Sequence, residues 1–285
     1  MIVKEDFEIK NLTTYKIGGK VHKIYFPETQ GEFIELLREH AGCMVLGSCS
    51  NVLFSSNGYS GDIIITSELK QYEIKGTKIF TASGVKGPLL AQKTAEAGLT
   101  GFEFMIGFPG SIGGDICMNA GAHGQCISDN LTQCCLFDRN TQEVVYKSKE
   151  ELDFSYRNSA LKSGRYVLIH AEFDLKKAQQ DEIKSLIERN LEFRKSIQPS
   201  LAVPNAGSVF KNPENDSAGR LLDKAGVKTF DLPRARVWEN HANFIINKGD
   251  ATSEDILTLM VMMYNAVKNQ YTIELERSEE HTSEL

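Results

Sequence analysis

The sequence has no apolar run approaching the ~20 residues that cross a bilayer. Its start, MIVKEDFEIK, has no uninterrupted apolar stretch of the kind a secretory leader carries. Both absences point to a cytoplasmic protein with no membrane partner. Long basic runs are lacking too. With 32 Lys and Arg against 38 Asp and Glu the net charge is −6, which suits no nucleic-acid backbone. None of the six cysteines (43, 49, 117, 126, 134, 135) forms a CxxC pair, and no histidine falls at zinc-ligand spacing beside them. Small buried thiols are expected, with no metal and no disulfide. Neither GxGxxG nor GxxxxGK[ST] occurs, so the Rossmann fingerprint and the P-loop are both excluded. Repeats and low-complexity tracts are missing as well.

What is present is an ordinary globular composition, 41% hydrophobic and 25% charged, over 285 residues. That length corresponds to roughly two domains of about 150 residues. One stretch stands apart: GFPGSIGGDICMNAGAHG, with six glycines from Gly107 to Gly124 and Gly101 just upstream. Glycine is costly to order and packs nothing, but it lets backbone N–H groups approach a ligand closely. Pro109 stiffens the entry, and Ser111, Asn119 and His123 add short polar groups. Composition leaves two readings open: a backbone cradle for a large phosphate-bearing cofactor, or a series of tight turns.

Upstream, MVLGSCSN reads as a strand running into Gly47, Ser48, Cys49, Ser50 and Asn51, a point where several donors converge. Strands are expected at 62–66 and 78–83, with helices over 28–42 and 87–98. After the glycine stretch the pattern becomes antiparallel, with strands at 131–138, 143–147 and 165–175. The loop 153–164 between them carries one arginine, Arg157, flanked by Tyr156 and Asn158. Residues 179–199 give a clear helix that serves as the linker candidate. A short capped helix (216–226), a strand within 239–249 and an amphipathic helix (252–271) follow, the last with its methionines inward.

Three stretches, LGSCSN (46–51), GLTGFEFMIGFPGSIGGDICMNAGAHG (98–124), and NAGSVFKNP (205–213) followed by HANFIIN (241–247), carry a resemblance to the UDP-N-acetylenolpyruvoylglucosamine reductase family. It runs from about Phe7 to about Glu276. The resemblance implies an α+β fold: a two-lobed FAD-binding domain of the vanillyl-alcohol-oxidase/PCMH type over 1–178, then a smaller α+β substrate-binding domain over 179–276. It implies non-covalent FAD, NADPH as co-substrate, and reduction of the enolpyruvyl ether of a UDP-sugar in peptidoglycan precursor synthesis. No obligate protein partner is implied. Gly47, Ser48, Ser50 and Asn51 match the family's first FAD loop. Gly107, Pro109, Gly110, Ser111, Gly113, Gly114, Asn119, Ala120 and Gly121 match its second. Tyr156, Lys211 and Asn212 fall at substrate-side positions, and Arg157 and Ser208 at two catalytic ones. An arginine fork suits a carboxylate whose neighbouring carbon gains charge. A positioned hydroxyl can protonate a strongly basic carbon.

The chain departs from the family twice. Cys49 stands where a second glycine is usual, and is strained if that position needs a positive φ. The family also ends Leu-Glu-Pro-Glu-Val, where this chain reads Leu275-Glu276-Arg277-Ser278, which puts Ser278 at the third catalytic position. Residues 277–285 therefore read as a foreign or truncated tail. Glu279 or Glu280 would replace the acid only by a register slip, which reverses the facing of a strand.

Overall fold

The computed structural model describes residues 1–278 and the backbone of 280–281. Its first elements are β1 (Ile2–Glu8), β2 (Lys20–Phe26), α1 (Gln30–Glu39), β3 (Met44–Leu46), β4 (Val52–Leu53), β5 (Tyr59–Ile65), β6 (Tyr72–Lys75), β7 (Lys78–Ala82), α2 (Gly87–Glu96), β8 (Leu99–Thr100) and α3 (Ile112–Cys117). Then come β9 (Gly121–Ala122), β10 (Gln125–Cys126), β11 (Leu131–Asp138), β12 (Glu143–Ser148), β13 (Tyr166–Asp174), β14 (Lys176–Lys177) and α4 (Gln180–Ile197). The rest are α5 (Ala218–Lys224), β15 (Ala235–Val237), β16 (Ile245–Asn247), α6 (Ser253–Tyr271) and β17 (Glu280–His281).

The chain forms two compact units, the first from residues 1–5, 23–48 and 61–193, the second from 6–22, 49–60 and 194 onward. The contiguous division expected at 178/179 differs from this. Tyr15, Ile17 and Leu53 pack in one cluster with Leu221, Ile245, Met260 and Val267. A hydrophobic core gathers residues by burial, without regard to their order in the chain.

In the first unit the main sheet runs β12-β11-β13-β7-β6, with antiparallel neighbours throughout. Both faces of β11 are covered, so the adjacent Cys134 and Cys135 point to opposite sides and are both buried. Helix α1 begins where the Thr29 side chain accepts the Glu32 N–H, and it buries Phe33, Leu36 and Leu37. Each such side chain contributes about 1.5–3 kcal/mol. Past its end, Arg139 donates to the carbonyls of Ala41 at 2.5 Å and Cys43 at 2.7 Å. Helix α2 carries Pro88 in its first turn and gives way to Gly98 at φ +72°. Helix α4 is largely exposed. Of its apolar face only Ile183 is buried, and the Asn190 amide donates to the Glu103 carbonyl at 3.1 Å.

In the second unit α6 opens with a capping box, Asp255 N–H to Thr252 Oγ1 and Thr252 N–H to Asp255 Oδ2. Its inward face is Ile256, Leu259, Met260, Met263 and Val267, so the two inward methionines are core. A short antiparallel hairpin, β15 with β16, lies in the same unit. The tail expected to be foreign from Arg277 starts inside this framework. Arg277 bridges Phe210, and Glu280 and His281 pair in parallel with Val52 and Leu53. Glu279 lies outside the described residues, and Glu280 is described in its backbone alone.

None of the six cysteines forms a disulfide. Cys49 sits at φ +49° and is buried, so the strain anticipated from the sequence is present. A side chain held in the left-handed region costs about 1–2 kcal/mol. Comparing two truncations isolates that cost from the lost thiol: Cys49→Gly should unfold at higher denaturant than Cys49→Ala, by about 1 kcal/mol. An alanine variant as stable as the glycine one would show the backbone there to be relaxed.

Candidate functional site

Beyond β7 the chain runs Ser83-Gly84-Val85-Lys86 into α2, and this segment lies antiparallel to residues 110–113. Gly113 N–H donates to Ser83 O at 2.8 Å, Ile112 N–H to Val85 O at 2.9 Å, and Gly87 N–H to Gly110 O at 3.2 Å. In and around these strips the backbone leaves no room for a side chain at several glycines. A Cβ on Gly84 would overlap the Thr66 carbonyl, one on Gly110 the Asp115 carboxyl, and one on Gly47 the Ser111 hydroxyl. At Gly121 a Cβ would come within 2.5 Å of the Gln125 carbonyl. Gly114 has room, since its nearest neighbour would be Ser111 Oγ at 3.8 Å. The glycine stretch is thus a close-packed backbone cradle, entered through Gly107, where a 3-10 turn ends ahead of Pro109.

Three side-chain oxygens of this cradle are buried without a hydrogen-bond partner: Ser83 Oγ, Ser111 Oγ and Asp115 Oδ2. An unsatisfied buried polar group costs about 1–3 kcal/mol, so three in one place mark a site built for a ligand. Burial alone pushes the Asp115 carboxyl up to about 8.

The far end of the stretch turns back through Asn119, at φ +42°, with Ala120 N–H donating to Asp115 O at 2.7 Å. The Asn119 amide donates to Ser155 O at 2.9 Å and its Oδ1 accepts the Ser128 N–H, which ties the stretch to the 155–158 turn. Arg157 occupies that turn at φ +54°. Its Nη1 donates to Asn119 O at 3.3 Å and its Nη2 to Gly121 O at 2.9 Å, with the guanidinium 5.1 Å from the ring centre of the exposed Tyr156. Among the described residues no carboxylate pairs with Arg157. Two backbone carbonyls therefore orient a cation whose charge is left uncancelled. Ser159 adds a further tie, its hydroxyl donating to Cys117 O at 2.7 Å.

The sequence-named residues fall into two sets. Gly47, Ser48, the 107–121 stretch, Tyr156 and Arg157 belong to the first unit. Ser50, Asn51, Ser208, Lys211 and Asn212 belong to the second. In the second unit Ser208 is exposed, preceded by Gly207 at φ +81° and followed by buried Val209 and Phe210. Asn243 fixes that segment: its carbonyl accepts the Val209 N–H, its Oδ1 accepts the Phe210 N–H, and its amide donates to Phe210 O at 2.8 Å. Lys211 meets Glu276 at 2.5 Å, and Asn212 Oδ1 accepts the Ala218 N–H at the start of α5. Ser278 N–H donates to Val209 O at 2.8 Å, and Ser278 O accepts from the Asn51 amide. Position 278 therefore stands directly across from the residue after Ser208.

Sequence reading missed Ser83 and passed over Asp115. A Ser-Gly pair at a strand end was the signal for the first. Nothing short of burial distinguishes the second. No three-residue metal cluster and no helix long and apolar enough to cross a membrane occur among the described residues.

Residues 22–144 match the model of an FAD binding domain, and residues 198–280 that of the UDP-N-acetylenolpyruvoylglucosamine reductase C-terminal domain. A UDP-N-acetylenolpyruvoylglucosamine reductase of Caldicellulosiruptor bescii is 41% identical over 95% of this chain and 88% of its own. Its counterpart in Clostridium novyi is 35% identical over 96% of this chain and 90% of its own. The crystal structure of UDP-N-acetylenolpyruvylglucosamine reductase from Thermus caldophilus superposes with a TM-score of 0.85 at 32% identity, covering 99% of both chains. The cradle fits FAD: the glycines leave backbone exposed, and the orphaned hydroxyls of Ser83 and Ser111 suit phosphate oxygens.

If Asp115 is what forbids a side chain at 110, the two positions are coupled. Gly110→Ala should lower stability by about 1–3 kcal/mol, and Asp115→Ala added to it should recover most of that loss. Equal costs in the two backgrounds, measured by denaturant unfolding, would show the positions to be independent.

Proposed function

The chain belongs to the UDP-N-acetylenolpyruvoylglucosamine reductase family, and on that premise we propose that it reduces UDP-N-acetylenolpyruvoylglucosamine to UDP-N-acetylmuramate in the cytoplasm, using NADPH. FAD, when bound, would supply the hydride chemistry that couples NADPH oxidation to reduction of the enol ether. The observation that carries this reading is Arg157: a guanidinium braced by the carbonyls of Asn119 and Gly121, beside a glycine cradle, with no carboxylate partner among the described residues.

Each residue then has a task. Ser83, Ser111 and the glycine backbone from 107 to 121 hold the cofactor, with Gly47, Ser48, Ser50 and Asn51 serving the same end. Arg157 stabilises the negative charge that spreads onto the substrate carboxylate as the neighbouring carbon is reduced. Tyr156, stacked beside it, offers an aromatic face to the substrate. Ser208, exposed on a segment that Asn243 holds rigid, donates the proton that completes the reduction. Lys211 and Asn212 serve the nucleotide-sugar, with Lys211 held ready by Glu276.

An anaerobic half-reaction tests the whole. NADPH should bleach the bound flavin, and adding the enolpyruvyl UDP-sugar should restore its colour. In Arg157→Lys the FAD content should be unchanged while kcat falls about 100-fold or more, because a point charge does not replace a fork. Flavin that NADPH does not reduce would remove the reading.

One observation favours a second reading, that of a slow enzyme: Ser278, which the resemblance sets at the family's third catalytic position, pairs with Val209 next to Ser208. A serine there supplies less acidity than a carboxyl. Ser278→Glu should then raise substrate-dependent NADPH oxidation by about 100-fold, on the scale of one acid-base catalyst. An unchanged rate would leave the slow reading without support.

A further inference from the structure

Asp115 does not belong in an anion site if it is ionised. It stands in the middle of the glycine stretch, fully buried on α3, with Oδ2 unpartnered and with Ser83 and Ser111 orphaned in the same cradle. A carboxylate there would repel the phosphates that the two hydroxyls and the open backbone are suited to receive. A carboxylic acid would attract them, because its O–H donates.

We infer that Asp115 is a cofactor-binding residue in its neutral form, offering its carboxyl proton as a hydrogen-bond donor to the pyrophosphate of FAD beside the hydroxyls of Ser83 and Ser111. The inference rests on the cradle being the FAD site. Its consequence is that ionising Asp115 weakens FAD binding.

The surroundings keep the proton in place. Burial is the sole cause of the upward shift, to about 8, so the acid is mainly neutral at pH 7. Charged and titratable groups on the elements packed around α3 are engaged elsewhere or exposed. Lys86 is exposed. Glu103 accepts the Gly101 N–H through Oε2 and leaves Oε1 buried without a partner, Asp129 accepts the Cys126 N–H and thiol, and His170 bonds Gln30. Lys162 is half-exposed. None holds a cation against the carboxyl, which would favour its charged form. A bound pyrophosphate raises the proton affinity further, so above the transition FAD binding must take up a proton.

The test uses the full chain, stripped of flavin and titrated with FAD by flavin fluorescence between pH 6 and 9. The dissociation constant should be flat at the acid end and rise toward tenfold per pH unit beyond about pH 8. Calorimetry at pH 9 in two buffers of different ionisation enthalpy should show close to one proton taken up per FAD bound. Riboflavin, which lacks phosphate, should bind without that pH dependence. Asp115→Asn should bind FAD evenly across the range with no proton uptake. Asp115→Ser serves if the amide does not fold, as judged by its melting curve. A wild-type constant that stays flat to pH 9, or a rise that persists in the Asp115 variants or with riboflavin, overturns the inference while leaving the FAD site intact. Failure of the wild type to bind FAD at any pH overturns the site reading and this inference together.

Discussion

The backbone pairing of residues 83–87 with residues 110–113 is what the glycine cradle of the first unit is built on. The hydrogen bonds from Gly113 to Ser83 and from Ile112 to Val85 draw the strips together. Glycine is required at 84 and 110 because carbonyl and carboxyl oxygens already fill the space. Beside this pairing Ser83 Oγ, Ser111 Oγ and Asp115 Oδ2 are buried with nothing to bond. The pairing also positions the chain to turn at Asn119, whose carbonyl, with that of Gly121, aims Arg157. A substitution that spread the strips would therefore disturb the glycine cradle and the bracing of Arg157 together.

The second unit solves a different problem. Ser208, which we propose as the proton donor, is exposed on a segment that is itself fixed. Exposure alone would give a mobile side chain with little catalytic value. Here Asn243 clamps the next two residues from both sides of the backbone, and the 276–278 segment pairs along them. Buried Val209 and Phe210 anchor the strip while Ser208 stays outside. Asn247 plays a comparable part nearby, its amide donating to Tyr15 O and its Oδ1 receiving the N–H groups of Gly249 and Ala251.

Much of this was legible from the residues. The glycine stretch, the antiparallel strands after it, the inward face of α6 and the ambiguous loop around Arg157 all carry local signals. Cys49 could be suspected of strain because a sequence pattern asked for glycine there. Three things were not legible, each for a physical reason. The units are discontinuous because Tyr15, Ile17 and Leu53 join a core whose other members lie some 150 residues and more away. The residues 2–8 form a strand although they are mostly charged or exposed, since pairing with β2 rather than burial holds them. Asp115 looked like one more polar residue in a turn, because burial is a property of the surroundings and not of the residue.

Asp115 also shows why a binding site can include a group of apparently wrong sign. An acid in bulk water at neutral pH is an anion, and water supports that charge. Removing the water without supplying a cation reverses the preference, because the neutral form then loses less. Serine offers a phosphate one donor with a freely turning proton. A buried carboxylic acid offers one donor that is more acidic and, on a closely packed helix, held more firmly. Its cost is a dependence on pH that serine lacks. A cradle built of glycine gains close approach by giving up side chains, so each donor that remains in it counts for more, and a protonated acid at 115 adds one to those of Ser83 and Ser111.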